Sequence, residues 1–401
     1  MDLSRQYLFH APTRVLFGSG TVQATGREVA ALGGTAALVV TDRGVVGAGL
    51  LDGITASLAA ADVSATVFDA VEPNPSIGTV NAALAAYQSG GCNAIVAVGG
   101  GSPMDVAKAV GILASNGGAI ADYEGKPDAI RNNLPPFVCV PTTCGTGSEV
   151  TPFAVITDEA RHWKMSIASP REVPRVAIID PDLFLKMPAP LIAATGMDAL
   201  THAIESYTNQ DVQPFADAFD IHAIRLIGKY LRPAVANGNR EAMASMAVAA
   251  TMAGMGFSQN RLGIVHAISH PVTSYVGTPH GVANAILLPY VMEYNAIGVG
   301  PRIAEIGKAL SGDNPQMTWN PSPQAGIQAV RALSRDVGIP ETLGEVGVTE
   351  EHVAAIAADA MKSGNIRINP RRVALSDIER VIRNAMNGIH ADQRPRSQTN
   401  G

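Results

Sequence analysis

Three of the nine histidines fall within fifteen residues, His266, His270 and His280, and a fourth, His202, stands four residues after Asp198 in GMDALTHAIESY. Residues four apart on a helix share a face, so Asp198 and His202 can grip one cation together; His266 and His270 repeat the spacing in GIVHAISHP. Both stretches are otherwise apolar, where an imidazole or a carboxylate is costly unless it has a partner. A lone core histidine is usually a hydrogen-bonded group. Four imidazole candidates and a carboxylate point instead to a metal centre. Nitrogen donors with one carboxylate suit Fe²⁺ or Zn²⁺ and argue against Ca²⁺ or Mg²⁺. His10, His162, His222, His352 and His390 stand apart in the sequence and carry no assignment.

A second chemistry is written in VGGGSPMDVAK (98–108), which follows an apolar run and opens a helical pattern. Three successive glycines let backbone N–H groups approach a pyrophosphate, and a helix N-terminus adds about half a positive charge. Ser102 is placed to cap that helix, with Asp105 three residues on at capping-box spacing. The plainer reading is a tight turn, since the spacing is not G-x-G-x-x-G. PTTCGTGSEVTP (141–152) adds four threonines and a serine after another apolar run, hydroxyls that suit phosphate and ribose or simply a turn. Asp42 ends a third run. A carboxylate there accepts from a ribose and repels a 2′-phosphate, which favours NAD over NADP, although it could also cap a turn and Arg43 could admit a phosphate. Beside a nicotinamide, a metal centre with an open position suits alcohol oxidation, because lowering the pKa of the alcohol lets hydride leave the carbinol carbon.

Such groups need regular elements to hold them. TAALVVTD (35–42), SATVFDAV (64–71), NAIVAVGGG (93–101), FVCVPTT (137–143), FAVITD (153–158) and VAIID (176–180) are near-continuous apolar runs. Helical patterns over 49–62, 76–90 and 103–117 separate the early ones. Strands apolar on both faces and alternating with helices predict a parallel sheet covered on both sides, with ligands at its C-terminal edge. Beyond Asp182 the chain reads as successive helices, and PDLFLKMPAP (181–190), with three prolines, reads as a hinge. The expected organisation is an α/β nucleotide-binding domain over 1–181, an all-α metal domain over 182–390 and a disordered polar tail over 391–401.

Composition narrows the classes. The 401 residues are 47% apolar and 16% charged, against roughly 25% charged in an ordinary soluble protein, so large cores are assured and wholesale disorder is excluded. A net charge of −6 argues against nucleic acid or an anionic membrane as the main partner. Three cysteines without paired spacing imply a reducing interior, and no signal-like apolar run opens the chain; a cytoplasmic protein with a small-molecule substrate is expected. AMASMAVAATMAGMGF (242–257) is too short to span a bilayer and reads as a buried helix.

Taken in order, GGGSPMDVAK, PTTCGTGSEVTPFAVITD, GMDALTHAIESY, LGIVHAISHP and TPHGVANAILLP resemble the iron-containing (group III) alcohol dehydrogenases, in the flavour of the lactaldehyde:propanediol oxidoreductase branch, from about residue 7 to 390. The resemblance implies a Rossmann-like parallel sheet followed by a helical metal domain, the dehydroquinate synthase-like architecture. It implies NAD and Fe²⁺ (Zn²⁺ is possible), and a homodimer or higher homo-oligomer. Carried over residue by residue, it makes Asp198, His202, His266 and His280 the metal ligands. His270 becomes a catalytic residue beside nicotinamide and substrate, whereas spacing alone favours it as the fourth ligand. The same carry-over assigns Asp42, Asn74, Gly100, Gly101, Ser102, Asp105, Thr142, Thr143, Thr146 and Lys164 to the cofactor.

The chain departs from the family pattern at Gln259, Asn260 and Arg261, at Val272, Thr273 and Ser274, and at Cys144, so the alcohol itself stays open. Arg261 either lies on the surface or, little more than a turn before His266, meets an anionic tail on a short aldehyde. Two other classes compete with the dehydrogenase. A lyase of the dehydroquinate synthase type would need a basic multi-lysine pocket, and no such cluster adjoins the histidines in sequence. A nucleotide-binding protein without turnover would not need the ligand set.

Overall fold

The computed structural model describes residues 6–161, 163–312 and 322–390. The tail expected over 391–401 lies outside the described residues, as does His162. The chain divides into two compact units. One joins Phe9–Pro188 to Gly238–Ser258; the other joins the N-terminal residues through Leu8 to Ala189–Asn237 and everything from Gln259 onward.

The first unit is built on six parallel strands, β1 (Arg14–Phe17), β2 (Ala36–Val40), β3 (Ser64–Phe68), β4 (Ala94–Gly99), β5 (Phe137–Pro141) and β8 (Val176–Ile179), in the order β1-β8-β5-β4-β2-β3. The apolar runs are continuous because both faces are covered. Leu38, Val40, Ile95, Ala97, Phe137 and Cys139 enter one core, while Ala37, Val39, Val96, Val98, Val138 and Val140 enter the other. Each such Val, Ile or Leu side chain contributes about 1.5–3 kcal/mol by leaving water. β1 gave no sequence signal: RVLF is four residues long and its two end residues are exposed. FAVITD does not join the sheet. It forms β6 (Phe153–Asp158), which pairs antiparallel with β7 (Trp163–Ala168), since the four residues between them are too few for the crossover a parallel pair requires.

The predicted capping box is also corrected. The helix Gly101–Asn116 starts at the glycines, with Gly100 as its cap residue and no side-chain cap, so Ser102 already lies inside the first turn. The Asp105 carboxylate instead accepts from Ser148 Oγ and the Val155 N–H, both at 3.1 Å.

The segment 238–258 packs with this unit through glycine. Gly147, at φ +62°, would carry a Cβ 2.7 Å from the Gly254 Cα, and Gly254 would carry one 2.9 Å from the Gly147 Cα. Backbone thus meets backbone where the helix Arg240–Asn260 crosses the 141–152 loop, and Thr251 Oγ1 donates to Glu149 Oε1 at 2.7 Å beside the crossing. All three cysteines lie in this unit, buried and unbridged; burial pushes the Cys139 and Cys144 thiols far up.

The second unit is helical among its described residues: Ala189–Thr208, Pro214–Asn237, Ile264–Val276, His280–Ser311, Pro323–Asp336, Glu350–Ala360 and Leu375–Asn387. The first two and His280–Ser311 pack against one another. Gly281 permits the closest of these approaches, since a Cβ on it would lie 2.2 Å from the Ala194 carbonyl oxygen and 3.3 Å from the Asp198 Cβ. None of the described helices is long and apolar enough to cross a membrane.

Candidate functional site

The close approach at Gly281 has a chemical result. It brings His280, at the start of one helix, against Asp198 and His202 on another, while His266 arrives from Ile264–Val276. The Nε2 atoms of His202, His266 and His280 each lie 3.9 Å from the same carboxylate oxygen, Asp198 Oδ1. The donors of Asp198, His202 and His266 are all buried and all within 4.8 Å of one another. Tetrahedral bonds of about 2.1 Å would place donors ~3.4 Å apart, so the separations here are somewhat wider than an ion bound by all of them would require. Burial holds the His266 imidazole down to about 3, so the ring is neutral and its Nε2 lone pair and the Asp198 carboxylate are both electron-pair donors in need of a shared partner. A divalent cation is the partner that donor set fits.

His270 takes a different place. Its ring centroid lies 6.1 Å from that of His266 and 5.2 Å from that of His280, so it flanks the cluster, while His280 shares the common oxygen. The i, i+4 spacing sees one helix, whereas the third imidazole on the common oxygen comes from another.

Glu205 was not singled out in the sequence. It is buried, with Oε2 against His266 Nδ1 and Oε1 accepting from the Val265 N–H at 2.6 Å. Desolvation raises its carboxyl to about 7 against the pull of those hydrogen bonds. An acceptor on Nδ1 fixes the tautomer that turns the Nε2 lone pair toward the cluster. The available signal was its place on one helix face, three residues after His202 and seven after Asp198. Glu205→Gln is expected to weaken metal affinity ~10–100-fold, read by chelator competition, with unaltered affinity as the contrary result.

In the sheet-bearing unit, β4 and β5 pair Gly99 with Pro141, which sets the glycine turn beside the threonine loop. A Cβ on Gly100 would lie 3.0 Å from Thr143 Oγ1, and one on Gly101 3.0 Å from Thr146 Cγ2. Thr142 donates its N–H to the Gly99 carbonyl at 2.9 Å. The first-turn N–H groups of Gly101–Asn116 therefore open onto a cradle that side chains would fill. Asp42 faces the same turn: its Oδ1 caps the helix Arg43–Gly47 through the Val45 N–H, and its Oδ2 would lie 3.4 Å from a Cβ on Gly99. Lys164 Nζ donates to Asn74 Oδ1 at 2.8 Å, and burial lowers that lysine to about 8. Ser102 is half-buried at the helix start, and Asp105 is held by Ser148 and Val155 as described.

A residue the sequence reading passed over fastens this loop. Lys108 is fully buried and donates to Ser148 Oγ, Thr151 Oγ1 and the Phe153 carbonyl at 2.8, 3.1 and 2.7 Å. A charged residue on the inner face of an apolar helix was the signal.

The residues that depart from the family pattern are mostly built in. Asn260, Val272 and Cys144 are buried, and Ser274 donates to the His270 carbonyl at 3.1 Å. Arg261 lies outside the His266 helix, which begins only at Ile264. It adopts φ +68° after the preceding helix, Asn209 Nδ2 holds its carbonyl at 3.0 Å, and its guanidinium lies against Gly364.

Comparison with known proteins bears on the same residues. Residues 12–181 match the family model for iron-containing alcohol dehydrogenase, and residues 192–386 match its C-terminal counterpart. Lactaldehyde reductase from Escherichia coli is 42% identical over 90% of this chain and 95% of its own length. The NAD-dependent methanol dehydrogenase of Bacillus methanolicus is 38% identical over 94% of this chain and 99% of its own. Among solved structures, 1,3-propanediol oxidoreductase superposes with a TM-score of 0.92 at 41% identity, covering 95% of this chain and 100% of that one. With the metal cluster and the glycine cradle carried on the segments those models match, the chain belongs to the iron-containing alcohol dehydrogenases and is a metal-dependent alcohol oxidoreductase.

Proposed function

We propose that this enzyme moves hydride between NAD(H) and a small primary alcohol or its aldehyde, with Fe²⁺ as the activating ion. The observation that carries the reading is the convergence of three imidazole Nε2 atoms on Asp198 Oδ1. A divalent cation held by Asp198, His202, His266 and His280 would supply a Lewis acid for the alcohol or aldehyde oxygen. The protein's own part is to keep those donors in register. Asp198 brings the one negative charge, Glu205 holds the His266 tautomer, and the His270 ring is proposed to act on the substrate. Gly100 and Gly101, with the threonines facing them, would take the pyrophosphate at the helix N-terminus. Lys164 and Asn74, tied to each other, are proposed to contact the cofactor.

Support for NAD comes from Asp42, whose Oδ2 faces the glycine turn, and from the NAD-dependent relative. Asp42→Gly should raise the kcat/KM ratio for NADP over NAD; glycine costs only a few tenths of a kcal/mol at a cap position, so the protein should stay folded. A wild type that already prefers NADP would defeat this.

The family's description supports iron, although Zn²⁺ binds such donors more tightly and can be taken up in air. The decisive experiment strips the metal, reconstitutes anaerobically with Fe²⁺ or Zn²⁺, and follows NADH absorbance over a panel of alcohols and aldehydes. Turnover at least as high with Zn²⁺ overturns the iron assignment, and no turnover with any alcohol overturns the reading. The lyase reading is not favoured, since the matched relatives are alcohol and aldehyde oxidoreductases. A cytoplasmic homo-oligomer completes the proposal. The buried, unbridged thiols support the reducing compartment, and sedimentation would measure the assembly.

A further inference from the structure

Asn284 stands four residues after His280 on the same helix face and is fully buried. Its Nδ2 lies 2.7 Å from Asp198 Oδ1, 3.1 Å from His266 Nε2 and 3.1 Å from His280 Nε2. Its Oδ1 has no hydrogen-bond partner among the described residues. One amide nitrogen thus reaches three of the four donor atoms, although it carries only two hydrogens. The contacts are unequal in kind. When the imidazole lone pairs are given to a cation they no longer accept, whereas Asp198 Oδ1, a carboxylate oxygen with more than one lone pair, can accept from the amide and still face the cation. The contact to Asp198 is also the shortest of the three.

We propose that Asn284 is a positioning residue of the metal centre, holding Asp198 Oδ1 at the point where the three Nε2 atoms converge. The proposal rests on the metal reading above. Without the amide, the carboxylate is free to rotate its oxygens away from that point, and the charged donor of the set loses its registry.

The test uses Co²⁺ as the probe, in stripped full-length wild type, Asn284→Ala and Asn284→Leu, by chelator competition and visible absorption. Both variants should bind Co²⁺ ~10–100-fold more weakly, the range seen when an outer partner of a ligand is removed, with the visible band intensity of the saturated protein unchanged. Leucine restores the lost volume, so wild-type affinity in Asn284→Leu would mean that packing alone was at stake and would overturn the proposal. Wild-type affinity in both variants overturns it as well. A change in band intensity, the mark of an altered coordination number, would make Asn284 itself a ligand and refute the positioning role. Failure of the metal reading is distinct, since wild type would then bind no Co²⁺.

Discussion

His280→Ala is expected to lose bound metal and activity together, while His270→Ala keeps its metal and turns over poorly. Structural four-ligand zinc sites are worth about 10–16 kcal/mol, so each ligand carries on the order of 3 kcal/mol, roughly a hundredfold in affinity. His280 reaches Asp198 Oδ1 at the same 3.9 Å as His202 and His266, and its removal opens one corner of the cage. Asp198→Ala should be more severe still, because it leaves only neutral donors. The check is metal content of each purified variant alongside kcat. Metal lost from His270→Ala and kept in His280→Ala would reverse the assignment.

Gly281→Ala is the second large effect, and it touches no ligand. The added Cβ would sit 2.2 Å from the Ala194 carbonyl oxygen, a backbone atom that cannot swing aside. The two helices must therefore part by an ångström or more to restore van der Waals contact. Overpacking of this kind costs about 1–3 kcal/mol in stability. The functional loss should be larger, because the separation falls between His280 and the Asp198–His202 pair, and catalytic geometry misplaced by about 1 Å can lose about a hundredfold. Gly298→Ala, on the same helix, is the control: its Cβ would meet only the Pro370 carbonyl at 3.3 Å. Thermal melts and metal content would separate the two, and equal behaviour would remove any special role from the crossing.

The parallel sheet was legible because burial on both faces forces unbroken apolar runs, and β2, β4 and β5 are such runs. β1 and β7 were not. One is short and exposed at its ends, and the other mixes Trp163, Lys164 and Ser166 with buried Met165 and Ile167. In the metal cluster, Asp198 and His202 follow from helix periodicity, but His280 does not, because its place depends on a crossing between helices. Glu205, Asn284 and Lys108 share one cause of invisibility. Each is a buried polar residue on an inward helix face, which periodicity could flag, but its role depends on a partner 40, 60 or 86 positions away, which periodicity cannot name. Arg261 is exposed, in keeping with the surface alternative, and the helical distance to His266 does not apply because its left-handed backbone ends one helix before the next begins.

The three buried cysteines have a practical consequence. Cys92, Cys139 and Cys144 all belong to the sheet-bearing unit, on or near its strands, with none in the helical unit. A maleimide can reach Cys139 or Cys144 only when that unit opens, so their labelling under native conditions is a clock for its local unfolding and is blind to the other, cysteine-free unit. Run with and without NAD, the clock would report how far the nucleotide tightens the fold that carries the glycine turn, in a measurement that needs neither metal nor turnover.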